Sequence, residues 1–115
     1  MFFALSMNVA LSEMQYPQEM MDVSAPYPDA TITHNSKAIN GTVMVQMESN
    51  DDLDSIFEFY KTALAANGWT ITSGSQLEGL SGLVGVKGSN NVSVNLIATG
   101  QSGKSMIMLV LSPNQ

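Results

Sequence analysis

The stretch that decides the fold is DDLDSIFEFYKTALAANGW, residues 51–69. Its acidic start suits the positive end of a helix dipole, and Ser49 with Asp52 approximates a capping box. Asn67 and Gly68 then supply a left-handed stop. Between these signals the apolar residues repeat at helical spacing along one side: Leu53, Ile56, Phe57, Tyr60, Ala63 and Leu64. The pattern predicts one amphipathic helix from about residue 51 to residue 67.

A β-hairpin is predicted before the helix, in TITHNSKAINGTVMVQME, residues 31–48. Asn40 and Gly41 both accept positive φ, so between two β-type runs they favour a two-residue type I′ turn. With that loop His34 faces Met47. One face of the hairpin, predicted to be buried, then carries Ile32, His34, Ser36, Ala38, Val43, Val45 and Met47.

Four further strands are predicted after the helix, separated by short turns rich in Gly, Ser and Asn. Such turns join antiparallel neighbours, since a parallel return needs a crossover of about a dozen residues or more. The chain is therefore predicted to be an α+β domain, ββαββββ, with an antiparallel sheet of about six strands on one principal helix.

The predicted domain covers residues 25–115, and residues 1–24 form a separate apolar, Met-rich segment with its linker. Apolar residues near the start, among them Phe3, Met7 and Leu11, predict a short amphipathic helix over 1–15. Three prolines in 16–30 predict an extended, wrapping connection. The first residues also resemble the apolar part of a secretory signal, although the basic start of such signals is absent.

The composition argues against several functions. Ten acids against four Lys, with no Arg, give a net charge of −6 and no basic stripe for a nucleic acid. The absence of Cys excludes disulfides, thiolate metal sites and a catalytic thiol. No apolar run approaches the roughly 20 residues of a membrane-spanning helix. We therefore expect an acidic protein with no nucleic-acid partner and no membrane span.

ATGQSGKS, residues 98–105, fits the phosphate-loop pattern. A working phosphate loop needs a following helix whose N-terminus faces the phosphates. Here a short apolar run of β type follows Ser105 and is closed by Pro113. We therefore predict a polar hairpin turn with no bound nucleotide.

Catalytic and metal-binding residues are few. With no Cys, no Arg and a single His, a nucleophile and base are hard to assemble, so no enzymatic activity and no cofactor are expected. The acids Asp51, Asp52 and Asp54 lack the spacing of a calcium loop. A soft-metal site for Cu(I) is the remaining metal hypothesis, with His34 and Met47 as ligands. Met also fills irregular cores, which explains the nine Met residues without a metal.

The last strand is apolar on both faces. Ile107, Leu109 and Leu111 point one way, and Met106, Met108 and Val110 point the other. One helix covers only one face of a sheet, so the second side needs another cover. The candidates are a second copy of the chain, another protein, or the N-terminal segment through Phe3, Met7 and Leu11.

The sequence resembles a group of small exported bacterial domains of the periplasmic or lipoprotein type. The shared features are a YPxA entry and a helix with an FYxxxLxxxGW signature, carried here by Tyr27, Pro28, Ala30, Phe59, Tyr60, Leu64, Gly68 and Trp69. The resemblance covers about residues 25–111 and implies a periplasmic or extracellular location. It brings no catalytic residues with it, and this chain lacks the basic start and the lipid-bearing Cys of such proteins.

These observations favour a small non-enzymatic binding module of the bacterial cell envelope. It would act through an apolar sheet face, as a homodimer or with a protein partner. The alternative is a carrier of an apolar or soft-metal ligand in a groove between helix and sheet.

Overall fold

The computed structural model describes residues 15–100 and 103–113. The elements are a 3-10 turn over Gln18–Asp22, one helix and six strands. The bounds are α1 Leu53–Ala66, β1 Thr31–Lys37, β2 Val43–Ser49, β3 Thr70–Leu77, β4 Leu80–Lys87, β5 Asn90–Ala98 and β6 Ser105–Pro113. The predicted α+β class and the element order ββαββββ are confirmed.

Helix α1 begins and ends where its terminal residues satisfy the free backbone groups. The Asp52 side chain accepts a hydrogen bond from the Ser55 N–H at 2.7 Å, which caps the first turn. At the other end, Gly68 has φ +88° and the Trp69 N–H donates to the Leu64 carbonyl at 2.9 Å. This is a Schellman motif. The predicted helix is confirmed to within two residues and so is its stop at Gly68, but the N-cap is Asp52 and not Ser49 of the predicted capping box.

All six strands form one antiparallel sheet in the order β1-β2-β6-β5-β4-β3. Strand β2 of the first hairpin pairs with β6, and β5 pairs with the other side of β6, so β6 lies in the middle of the sheet. The helix packs on one face, called here the near face, and its contacts are with β3, β4 and β5. The opposite side of the sheet is called the far face.

The predicted register of the first hairpin is wrong by one residue. The Ala38 N–H donates to the Thr42 carbonyl at 2.8 Å and the Gly41 N–H to the Ala38 carbonyl at 3.0 Å, so the loop has three residues. Gly41 takes the left-handed position of that loop, with φ +94°. Because strand side chains alternate, the extra loop residue moves Ser36 to the far face and brings Lys37 opposite Val43.

The other half of the near face is covered by residues 15–24, called here the strap. The side chains of Met20 and Val23 are completely buried in the core with those of the sheet. The segment was predicted to be extended, and it contains the five-residue 3-10 turn instead. Helix and strap together cover the near face.

Candidate functional site

In the described part of the chain, the near face is packed with buried side chains. Its side chains on the three middle strands, such as Val45, Leu109 and Val94, have no exposed surface. A groove between helix and sheet, as the sequence suggested for a ligand carrier, is therefore filled by side chains. A ligand on this side must bind in a surface groove or displace part of the cover.

The far face carries a column of apolar side chains along the central strand β6. The predicted alternation is confirmed, because Ile107 and Leu109 are fully buried on the near face while Met106, Met108 and Val110 are half-buried on the far face. Strand pairing places Met44 opposite Val110 and Ile97 opposite Met106.

Exposed apolar side chains extend the far face toward β3. Leu77, Leu80 and Val84 are 63%, 48% and 38% exposed, and they share one corner of this face. Polar residues on β2 and β5 flank the central column, among them Gln46 and Asn95, which lie on either side of Met108. A mixture of apolar and polar side chains of this kind is typical of interfaces between separately folded partners.

The structure groups only part of the predicted interface. Met106, Met108 and Val110 lie together on β6, whereas Phe3, Met7 and Leu11 lie outside the described residues. Met44, Ile97, Leu80 and Val84 were not predicted for this face, and their alternation with buried neighbours on the same strands is the signal that could have indicated it.

The hypothetical copper ligands His34 and Met47 are not brought together. The three-residue loop pairs His34 with Gln46, so the imidazole lies exposed on the far face, and the bulge in β1 between Ile32 and His34 leaves Ile32 opposite Met47. Met47 lies in the core and has no exposed surface. Within the described ranges, no group of three or more His, Asp or Glu side chains is arranged to hold a metal ion.

Two side-chain hydrogen bonds meet at Asp51, just before α1, one from the YPxA entry and one from the first residue of β6. The Tyr27 hydroxyl donates to Asp51 Oδ2 at 2.5 Å, and the Ser105 hydroxyl donates to the Asp51 carbonyl at 2.8 Å. Burial raises the pKa of Tyr27 to about 12, and the hydrogen bond to Asp51 acts in the same direction. A cleft of about 280 Å³ lies beside this contact, lined in part by Asp29 and Phe59. The contact fixes the chain entry to the helix.

A buried hydroxyl without a partner lies beneath the strap. The Tyr60 side chain on α1 is completely buried, and its hydroxyl has no hydrogen-bond partner among the described residues. Burial raises the pKa of Tyr60 and the neighbouring Tyr16 and Tyr27 hydroxyls add to the rise, whereas nearby Ser24, whose hydroxyl donates to the Ala25 carbonyl, lowers it. An unpartnered buried hydroxyl costs free energy, so it marks a place where a bound polar group would be stabilised.

The strap is held by side chains and not by a strand ladder. Trp69 Nε1 donates to the Asp22 carbonyl at 3.0 Å, and Asn67 Nδ2 donates to the Val23 carbonyl at 2.8 Å. Two exposed ion pairs also hold the strap: Lys87 pairs with Asp22 at 2.9 Å, and Lys37 pairs with Glu19 at 2.6 Å. Surface grooves of about 290 and 310 Å³ lie on either side of Glu19.

Residues 98–105, the stretch with the phosphate-loop pattern, connect two antiparallel strands. The Thr99 N–H donates to the Lys104 carbonyl at 3.3 Å, and strand β6 begins at Ser105. The helix that a phosphate loop requires does not follow. The predicted hairpin turn is confirmed for the described part of this stretch.

A family model described as START domain-like matches residues 29–105, which is more than half of the chain. The chain belongs to the START domain-like family. Membership of this family indicates a ligand-binding module. No curated protein and no solved structure matches the chain. In the described part of this START domain-like chain, no helix is long and apolar enough to cross a membrane.

Proposed function

We propose that the protein is a non-enzymatic binding module whose far face binds a second copy of the chain. The observation that carries this proposal is the half-buried apolar column Met106, Met108 and Val110 on the face that α1 does not cover. Six strands of this length present a flat area on the order of 600 Å². That is close to the ~800 Å² that each partner buries in a standard interface.

The net charge does not prevent this association. The chain carries −6 overall, but nine of its ten acids and only one Lys precede Tyr60. The central column on β6 bears no charge, and β5 beside it bears none either. Glu48 on the far face of β2 lies opposite Met106, so a contact centred on β5 and β6 places this negative charge at its rim and not at its centre.

Sedimentation velocity over a concentration series tests the proposal. Met108→Asp places a charge in the middle of the column and is expected to raise the dissociation constant of the dimer at least tenfold. Ile39→Asp is the matched control, because Ile39 is fully exposed at the hairpin tip, away from the sheet faces. A protein that stays monomeric at all concentrations, or a Met108→Asp variant that dimerises like the wild type, would contradict the proposal.

The cell envelope is the proposed location. Support comes from the resemblance to exported bacterial domains, carried by Tyr27 and Pro28 before the hairpin and by Gly68 and Trp69 after the helix. Fractionation of cells that express the full chain with a C-terminal tag tests this part of the proposal. Recovery of the tagged chain in the cytoplasmic fraction alone would overturn it.

A second candidate function is the binding of a small neutral amphiphile beneath the strap. The buried, unpartnered Tyr60 hydroxyl favours it, because such a hydroxyl offers a hydrogen bond to the polar end of a ligand. Met20, an unbranched and flexible side chain, occupies the apolar space between strap and sheet and is the group that a ligand chain would displace.

Trp69 is the only Trp of the chain, and its indole N–H bonds the strap directly. Titration with 1-dodecanol, followed by Trp69 emission, therefore reports displacement of the strap. Met20→Ala is expected to strengthen binding and Tyr60→Phe to weaken it several-fold. Met21→Ala, a change at the exposed neighbour, is expected to have no effect. An emission spectrum unchanged up to the solubility limit of dodecanol would rule this candidate out.

A further inference from the structure

The two edges of the sheet are protected very differently. At the β1 edge, Asn35 Nδ2 donates to the Gln15 carbonyl at 2.8 Å, and Lys37 pairs with Glu19 of the strap. That edge therefore carries a charge and has the chain's own backbone beside it. Strand β3 forms the other edge, and its eight residues include no charged residue and no proline.

Strand β3 is irregular only at its start. A bulge lies between Ile71 and Ser73, and from Ser73 to Leu77 the pairing with β4 is regular. Every residue in 72–77 is exposed. Charged residues, prolines and a covering segment are the usual protection of an edge strand, because unpaired N–H and C=O groups accept another strand. Residues 73–77 themselves include no charge and no proline, and their charged contact is the bond from Gln76 Nε2 to Asp54 Oδ1 at 3.2 Å.

We propose that residues 73–77 pair with the same strand of a second copy, antiparallel about a two-fold axis at Ser75. Ser75 is the centre of the regular segment, and its side chain lies on the far face opposite Gly82. Self-pairing of an uncharged strand meets no charge repulsion within the new ladder. The pairing would extend the sheet from six strands to about twelve.

The exposed apolar corner of the far face supports this register. With Ser75 on the axis, Leu77 of the second copy lies opposite Ser73, whose partner on the next strand is Val84. Leu77 and Val84 are exposed in the single chain, and this arrangement places them on either side of the small Ser73 side chain, two strands apart on the same face. The edge contact thus covers apolar surface that the single chain leaves in water.

This contact is separate from the face-to-face contact of the proposed function. Two different two-fold contacts on one chain close into a tetramer when their axes are perpendicular and intersect, and each contact alone yields a dimer. Variants at Ser75 and at Met108 therefore report on different contacts, and one contact can fail while the other holds.

A charge-swap experiment tests the edge contact, using chains that carry Met108→Asp to weaken the face contact. In this background the chain is expected to dimerise at high concentration. Adding Ser75→Lys, or Ser75→Glu, places two like charges opposite each other and is expected to raise the dissociation constant at least tenfold. An equimolar mixture of the Lys and Glu chains is expected to recover dimers that contain one chain of each kind.

Native mass spectrometry, with one chain isotopically labelled, identifies those mixed dimers. Ser36→Lys is the matched control, because Ser36 is an exposed Ser on the far face of the other edge strand. It is expected to leave the dimer unchanged. Three results would each overturn the edge contact. Met108→Asp chains could stay monomeric at all concentrations, Lys or Glu at Ser75 could leave association unaltered, or the mixture could form no mixed dimers.

Discussion

The hydroxyls of two neighbouring buried tyrosines, Tyr27 and Tyr60, differ in their hydrogen bonding. Tyr27 donates to a carboxylate, whereas Tyr60 has no partner among the described residues. Their rings stack with centroids 6.2 Å apart, so the two side chains are direct neighbours. The two hydroxyls therefore differ in both hydrogen bonding and burial.

Removal of each hydroxyl is expected to have different effects on stability. Tyr60→Phe should leave the free energy of unfolding unchanged or slightly higher, because no hydrogen bond is lost and an unpartnered hydroxyl is removed. Tyr27→Phe should cost about 1 kcal/mol, because the bond to Asp51 is lost. Urea unfolding of both variants measures this. A larger loss for Tyr60→Phe than for Tyr27→Phe would show that Tyr60 has a partner.

Alkaline pH should destabilise the fold through the tyrosine hydroxyls. Burial raises the pKa of Tyr16 and of Tyr27 from 10.0 to about 12 in the folded chain. The fold thus favours the neutral hydroxyls, and their contribution is fully present below about pH 10 and lost as pH rises toward 12. Urea unfolding at stepped pH should show this decline, with a shallower slope in Tyr27→Phe. An equal slope in both proteins would contradict the assignment.

At the scale of single residues, the sequence predicted which residues bury their side chains but not which polar atoms find partners. The YPxA signature marked Tyr27 and Pro28, yet nothing in its spacing pointed to Asp51. Likewise the helical period placed Tyr60 on the buried side of α1 without indicating that its hydroxyl has no partner. Such pairings depend on the tertiary path of the strap, which a local pattern does not contain.

At the scale of elements, helix α1 depends on its first cap. The hydrogen bond from the Ser55 N–H lowers the pKa of Asp52, so the cap is strongest when the carboxylate is ionised. Asp52→Ala should lower the melting temperature, and Ser55→Ala should have little effect because the bond uses the Ser55 backbone.

Acid should weaken the same cap. The folded-state pKa of Asp52 is lowered, so its contribution is present above the unfolded pKa and is lost as pH falls through the folded value. Asp52→Asn keeps an acceptor oxygen and should reduce this pH dependence. Thermal unfolding monitored by circular dichroism between pH 7 and pH 2 provides the measurement. A pH dependence of the same size in Asp52→Asn and wild type would contradict the role of the carboxylate.

Elements with their own start and stop signals were predictable, and the pairing of β1 with β2 was not. Asn40 and Gly41 fit a two-residue turn as well as part of a three-residue loop, and only the backbone hydrogen bonds of Ala38 distinguish the two. This one-residue difference in register places His34 opposite Gln46 and not opposite Met47, so the two proposed copper ligands lie on different faces of the sheet. Strap residues such as Met20 show no regular period, so their burial was also not predicted.

At the scale of the whole molecule, the central position of β6 explains why this strand is apolar on both faces. The first hairpin joins β6 through β2, and the later strands join it through β5. The sequence predicted antiparallel neighbours from short turns, but the β2 to β6 pairing spans the whole helix and β3 to β5, so no turn signals it. Half-burial of the far-face column follows partly from these neighbouring strands.

Association through the far face is the central claim, and methionine methyl NMR tests it most directly. Among the described residues, Met44, Met106 and Met108 lie on the far face, whereas Met20 and Met47 lie in the core. On dilution of methyl-labelled protein, the three far-face resonances should shift and those of Met20 and Met47 should stay in place. Unchanged far-face resonances across a thousandfold dilution that spans the monomer and dimer ranges would contradict the claim.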